Sequence, residues 1–375
     1  MQLVPLFPVI LGAIFVYARP TVVERGLMLS KPAAPVPEDV LLFDALAFPD
    51  PANPANTLVS LQAFVFKHQV DSRALTALEN SLKGVTPDIA RNLHTVRDRL
   101  RLLGAVGLAG RNVKVFVQGC NKQALLPATS GSPHQGIALK NVPIGGCRRG
   151  VKELIAQVAG STHFTATVFC SPNSGFGLIS DIDDTIKVSH VLDKVALAKS
   201  TLLDAPQAVA GMPELYASLA KSLNSPQFIY ISGSPFQLYP FLHKFIHTTY
   251  SASKGPILLQ NLRNGIRGLA DFAGGGGVQR YKISMIERVH QMYPKKKFLA
   301  VGDSTQQDPE TYAEAFRKFG GNFILCIWIR QVDGADNTAQ RFAAAFKGVP
   351  VGKYRIFKDA EIPYLRKIDV ARGKC

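Results

Sequence analysis

The chain has 375 residues, 47% of them hydrophobic and 19% charged, enough to bury one large core or two smaller ones. A formal net charge of +16 draws anions to the surface, whether phosphorylated substrates, anionic lipid headgroups or nucleic acid. The basic residues are spread along the chain with only short clusters such as Lys295-Lys296-Lys297, and no zinc-finger spacing or aromatic-plus-basic pattern accompanies them, which argues against a nucleic-acid partner.

The stretch from Leu3 to Ala18 carries no charge and ends in Val16-Tyr17-Ala18, where a signal peptidase reads small residues. It is shorter than the roughly 20 residues of a spanning helix. Residues 1–18 therefore read as a secretory signal, which implies the secretory pathway or the extracellular space. An uncleaved anchor, or a buried helix in a cytoplasmic protein, is the other reading. Residues 19–38, rich in Pro, Ala and Val without periodicity, read as a linker.

From residue 39 to 171 the runs Val40 to Phe48, Leu58 to Lys67, Asn112 to Gln118 and His163 to Cys170 partly alternate apolar and polar residues, as half-buried antiparallel strands do. Ser72 to Leu103 reads as helical. This region is expected to be a β-rich accessory domain with a helical insertion. Of the five cysteines at least one must be unpaired within the chain. Cys120 and Cys147 bracket a loop rich in Gly, Pro and Ser and are the expected pair in an oxidising compartment. Cys326, inside the apolar run from Phe323 to Ile329, reads as a small buried hydrophobe.

Over residues 172–350 apolar strands end in polar loops and are followed by helices. Gly177 to Ser180 leads into Asp181, Gln227 to Ile231 into Ser232, and Lys297 to Val301 into Gly302-Asp303. Asn322 to Arg330 follows, with amphipathic stretches at Met212 to Leu223, Lys282 to Met292 and Thr311 to Phe319. Such alternation predicts an α/β domain with a parallel sheet covered on both faces, and a ligand site beyond the carboxyl ends of its strands. Residues 351–375 read as a basic C-terminal tail.

Three carboxylates, Asp181, Asp183 and Asp184, lie within four residues of a strand end, and like charges this close need a cation. A hard divalent ion on carboxylate oxygens is the simplest answer, and Mg²⁺ is the usual one where phosphate is also a ligand. Asp181 is placed to attack phosphorus. Asp183, two residues on, is placed to protonate the leaving oxygen and then deprotonate water. Ser232 and Gly233 offer a hydroxyl and a glycine backbone to a phosphoryl oxygen. Asp303 and Asp308 can complete the metal shell from across the site, and Lys282 can neutralise the charge of the transferring phosphoryl group.

The order of these segments resembles the haloacid dehalogenase superfamily. A closer resemblance is to the actin-patch-associated fungal phosphatidate phosphatases, carried by Asp181 to Lys187, Gly211 to Tyr216, Ile231 to Pro240, Lys282 to Glu287 and Gly302 to Tyr312. The resemblance implies a haloacid dehalogenase-like, Rossmann-like parallel sheet that hydrolyses phosphatidate to diacylglycerol and phosphate with Mg²⁺. It implies Asp181 as nucleophile, Asp183 as general acid and base, and Ser232, Gly233 and Lys282 on the phosphate. Asp181, Asp183 and Asp303 are the implied metal ligands, supported by Thr185 and Asp308. A soluble phosphomonoester substrate is the competing reading, and a secreted, non-catalytic protein that binds anionic lipid is the third.

Pro235 to Leu242 places large apolar side chains just after a catalytic strand end, either to meet a lipid or to pack a helix on the sheet. A basic surface favours peripheral contact with an anionic membrane. The segment from Lys187 to Gln207 can cover the site. Gly274 to Gly277 lacks the Lys-Ser/Thr of a phosphate-binding loop and reads as a hinge.

Overall fold

The computed structural model describes residues 38–68, 98–99, 105–132, 135–147, 150–160, 164–261 and 277–375. The signal-like stretch, the linker apart from Glu38, Gly274 to Gly276, and the expected helix from Ser72 to Leu103 apart from Asp98 and Arg99 lie outside them. Among the described residues no helix is long and apolar enough to cross a membrane.

The N-terminal body is a nine-stranded sheet. Its strands are β1 (Asp39–Leu42), β2 (Ala45–Pro49), β3 (Thr57–His68), β4 (Ala105–Gly107), β5 (Lys114–Val117), β6 (Ala124–Leu125), β7 (Ile137–Gly145), β8 (Glu153–Val158) and β9 (Thr165–Cys170). The long β3 is the spine, pairing antiparallel with β1 and β2 along one edge and with β7 along the other. Alternate residues of β3, β5, β7 and β8, such as Val59, Leu61, Val115, Val142 and Ala156, point into one apolar core.

The run from Val40 to Phe48 is broken at Phe43-Asp44, because Asp44 turns its polar groups inward. Its carboxylate accepts the Thr167 N–H at 2.7 Å, and its own N–H donates to the Tyr239 hydroxyl at 2.7 Å. Strands β7 and β8 were not foreseen. In β7 the polar Lys140-Asn141 and Pro143 interrupt the apolar alternation.

The second body is a six-stranded sheet in the order β12-β11-β10-β13-β14-β15, parallel throughout. The strands are β10 (Ser174–Ser180), β11 (Gln227–Pro235), β12 (Ile257–Gln260), β13 (Lys295–Asp303), β14 (Ile324–Arg330) and β15 (Tyr354–Phe357). Between them run α1 (Lys194–Leu202), α2 (Met212–Ser222), α3 (Tyr239–Thr249), α4 (Val278–Met292) and α5 (Asp308–Phe319), with the short α6 (Ala339–Ala345) and α7 (Ile362–Leu365) beyond. Both faces are covered, which is why the strands read as unbroken apolar runs. Leu178, Tyr230, Leu299, Val301 and Trp328 pack with α2 and α3, whereas Ile179, Ile229, Ile231, Phe298, Ala300 and Ile327 pack with α4 and α5.

The two bodies share these cores. Phe43 and Phe64 meet the rings of Tyr239 and Phe236 edge-on at 4.7 and 4.6 Å. On the other face the Tyr293 hydroxyl donates to the Ala47 carbonyl at 3.0 Å.

Cys120 and Cys147 are bonded, with S–S at 2.12 Å, and Cys170 is free. Cys326 is buried, but its sulfur is joined to that of Cys375 at 2.23 Å. The expected basic tail over residues 351–375 is corrected by this region of the structure. Residues 354–357 form the sixth strand of the parallel sheet, and the Cys375 carbonyl accepts the Trp328 indole N–H. Four residues with only Ile356 and Phe357 apolar at the end are too short a run to show a strand by periodicity. Phe357 is fully buried in the core. Replacing it by Ala should therefore lower unfolding free energy by about 3–5 kcal/mol in urea titrations. A change near zero would show that this segment is not part of the cooperative core.

Candidate active site

In the six-stranded sheet the chain runs outward from β10 to β12, then returns to place β13 on the other side of β10. The strand order thus reverses between β10 and β13, and a crevice opens there at the carboxyl ends. Asp181 follows β10 directly, and Asp303 is the last residue of β13. The Asp181 N–H donates to the Val301 carbonyl at 2.9 Å, which fixes the two strand ends together.

Around Asp181 the buried groups converge. The Lys282 ammonium donates to Asp181 Oδ1 at 2.6 Å and to Asp308 Oδ1. The Thr185 hydroxyl lies 3.0 Å from Asp181 Oδ2 and 2.9 Å from Asp303 Oδ2. Asp303 is held by the N–H of Thr305 at 2.6 Å, and Asp308 Oδ2 accepts the Asp303 N–H at 3.3 Å. Gly302 permits this approach: a Cβ there would overlap the Asp308 carboxylate. Lys282 belongs to the buried stripe of α4 with Val278, Ile283, Ile286 and Val289.

Carboxylate oxygens of Asp181, Asp303 and Asp308 lie within 4.8 Å of one another. Three buried carboxylates face one lysine, and the imbalance shows in the acidity of Asp181 and Asp303. Burial, with Asp308, Asp303 and Asp183 nearby, pushes Asp181 well above the ordinary carboxylate range despite Lys282. Burial and Asp308 push Asp303 up to about 7. Burial works against the charge of Lys282, but Asp181 and Asp308 outweigh it and raise its pKa. An all-oxygen, over-negative cluster of this kind fits a hard divalent cation, which would reverse these upward carboxylate shifts.

Asp183 faces a different set of groups. Its Oδ2 accepts the hydroxyls of Ser232 and Ser234, both at 2.8 Å. Its Oδ1 accepts Ser189 at 2.7 Å and lies 3.7 Å from the Lys187 ammonium. Burial opposes this anion, yet Lys187 and the three hydroxyls hold its pKa below the ordinary value. The Asp183 carboxylate is not among the three that cluster, whereas that of Asp308, expected in a supporting place, is. Gly233 lies between the two serines in β11, whose register with β12 is irregular between Ser232 and Pro235.

Asp184 is not part of either set. Its backbone is left-handed, with φ 59°. Its carboxylate accepts the N–H groups of Ser189, His190 and Val191 at 2.8, 2.9 and 2.7 Å, which curls the loop so that Lys187 and Ser189 reach Asp183. The Arg330 guanidinium donates to the Asp184 carbonyl at 2.6 Å and grips Asp359 with both remaining nitrogens. Lys187, Ser189, Ser234 and Arg330 were missed as site residues. A lysine and a serine immediately beyond an acidic strand end were the available signal for the first two.

Of the segment Pro235 to Leu242, Phe236, Leu238, Tyr239 and Leu242 are buried in the core, so packing accounts for them. Pro240 and Phe241 are not buried and line a cleft of about 640 Å³ with Leu203, Pro206 and Lys244. The Lys187 ammonium lies 5.8 Å from the Phe241 ring, so the cleft adjoins the Asp183 side of the site.

Residues 176–331 match the family model described as phosphatidate phosphatase APP1, catalytic domain. Phosphatidate phosphatase APP1 of Saccharomyces cerevisiae is 33% identical over 159 residues, covering 42% of this chain and 26% of that protein. An uncharacterized protein of Schizosaccharomyces pombe is 29% identical over 162 residues, with the same 42% and 26% coverage. The chain spans about a quarter of the length of the curated relatives it matches.

The role of Asp184 is open to a direct test. Replacing it by Ala strands three N–H groups and removes a side chain that tolerates left-handed backbone, so stability should fall by about 2–4 kcal/mol in urea titrations. Asn keeps one acceptor oxygen and tolerates the same backbone, and should recover roughly half of that loss. Equal stability of the Ala variant and the unsubstituted chain would remove Asp184 from this role.

Proposed function

We propose, from the match of residues 176–331 to the phosphatidate phosphatase APP1 catalytic-domain model, that the chain is a Mg²⁺-dependent phosphatidate phosphatase with a haloacid dehalogenase-like fold, releasing diacylglycerol and phosphate. The observation that carries the chemistry is the placement of Asp181 at the strand-order reversal, with Lys282 and two further carboxylates on one side and Asp183 on the other. Asp181, Asp303 and Asp308 would hold the ion. Bound there, Mg²⁺ supplies the positive charge that lets an anionic carboxylate approach an anionic phosphoryl group.

An Asp181 oxygen attacks phosphorus, and the bond from phosphorus to the glycerol oxygen breaks. Asp183 gives its proton to that departing oxygen. In the second half Asp183 takes a proton from water, the water oxygen attacks phosphorus, and the Asp181–phosphate bond breaks. Phosphate leaves, and Asp183 is protonated again. Asp183 begins in a setting that favours its anion, so it must gain a proton when substrate arrives; the negative charge of an adjacent phosphate drives its pKa in that direction. The Ser232 hydroxyl, now on Asp183, is within reach to turn to a phosphoryl oxygen beside the Gly233 backbone. Lys282 stabilises charge on the transferring group from the Asp181 side.

Support for a lipid substrate comes from the family match and from the partly apolar cleft beside Lys187, rimmed by Lys244. Peripheral contact with an anionic bilayer would bring such a substrate to the cleft.

Phosphate release from dispersed phosphatidate should require Mg²⁺, stop on chelation, and fall by about a thousandfold or more in Asp181→Asn, as when a covalent nucleophile is removed. Lys282→Met should lose about 10²–10³-fold, the scale for one electrostatic group on a developing charge. Turnover of soluble phosphoesters with none of phosphatidate would overturn the substrate while sparing the chemistry. Release unaffected by Asp181→Asn would overturn the mechanism.

A further inference from the structure

Away from the carboxylate cluster, a second group of ionisable side chains meets where the two bodies touch. Asp44 sits in the turn between β1 and β2, and His243 and His247 are one helical turn apart on α3. The Nε2 atoms of both histidines lie 3.2 Å from the same oxygen, Asp44 Oδ2. We propose that Asp44, His243 and His247 form a transition-metal site, distinct from the active-site carboxylates, that takes Zn²⁺ and clamps the β-rich body to the parallel-sheet body.

Ligand geometry supports the assignment. Zinc bonds to nitrogen and oxygen are about 2.0–2.2 Å, so a tetrahedral ion holds its ligand atoms about 3.3–3.5 Å apart, close to the two Nε2–Oδ2 separations here. Two histidines at i and i+4 lie on one helix face, the spacing by which a helix offers two imidazoles to a single ion. Their rings are stacked at 3.8 Å between centroids, 28° from parallel.

The carboxylate is also set up as a ligand. Its side chain is fully buried, and its other oxygen is fixed by the Thr167 N–H. Hydrogen bonding of the second oxygen is how proteins orient a ligating carboxylate. The His243 and His247 side chains are 33% and 18% exposed, which leaves a face open to a water as fourth ligand. Two imidazoles and one carboxylate favour zinc over Mg²⁺, the reverse of the all-oxygen cluster at Asp181. A lone pair of histidines in α3 gave little hint of this, because the third ligand is about two hundred residues earlier in the chain.

The test uses the full chain, stripped with chelator and dialysed against Zn²⁺ with millimolar Mg²⁺ present to occupy the carboxylate cluster. About one zinc per chain should be retained, and the melting midpoint should rise by about 3 °C or more at a hundredfold excess of zinc over its Kd. Both effects should vanish in the double variant His243→Gln/His247→Gln and persist in Asp303→Asn. Co²⁺ added to the unsubstituted chain should give the intense visible bands of tetrahedral ligation, a readout that does not depend on how any variant folds. Failure to retain zinc, retention by the double histidine variant, loss in Asp303→Asn, or only the weak bands of octahedral Co²⁺ would each overturn the proposal.

Discussion

The arrangement of the site depends on one buried cation, the Lys282 ammonium, lodged between Asp181 and Asp308. All three side chains are almost completely withdrawn from solvent. Removing one partner from such a group strands uncompensated charge, at a cost on the order of 3–5 kcal/mol. Four elements must therefore be in place at once: the ends of β10 and β13, the first turns of α4, and the start of α5. The parallel sheet supplies that placement, since all its strands end on the same side and the order reverses between β10 and β13. The fold and the charge distribution are in this sense one constraint.

The same crowding gives two neighbouring aspartates opposite characters. Asp181 and Asp183 are both buried, and burial pushes both pKa values up. For Asp181 three other carboxylates add to that push. For Asp183, Lys187 and the hydroxyls of Ser189, Ser232 and Ser234 overcome it. Carboxylates whose surroundings drive them apart are what a reaction needs when one must attack phosphorus and the other must shuttle a proton. Sequence position alone, i and i+2 on a strand end, puts them on the same side but cannot say which lysine each will meet.

How much of this was legible follows from how local each signal is. The strands that lead to Asp181, Ser232 and Asp303 announced themselves as continuous apolar runs buried on both faces. Lys282 was singled out from the order of the motifs, not from its surroundings. Its signal was a lysine on the apolar stripe of α4, alongside Val278 and Ile286, where burial demands a buried partner. Asp184 looked like a third member of an acidic cluster. Its left-handed backbone and its grip on three N–H groups are properties of a folded loop, which spacing does not reveal. Strand β15 was hidden for the opposite reason: pairing with β14, not its own composition, makes those four residues a strand.

That last strand bears on where the working unit ends. The loop after Asp181 adopts a backbone that costs free energy, and its carboxylate bonds offset part of that. Arg330 adds a second hold on the loop, donating to the Asp184 carbonyl while Asp359 holds its guanidinium in a two-point grip. A planar guanidinium fixed this way has little freedom left, so it delivers its third contact at a defined position. Asp359 lies two residues beyond β15 and outside the matched span of residues 176–331. Sheet pairing of residues 354–357 with β14 is what brings Asp359 to Arg330. The shape of the loop carrying Lys187 and Ser189 to Asp183 is therefore set partly by residues beyond the segment that matches the family model.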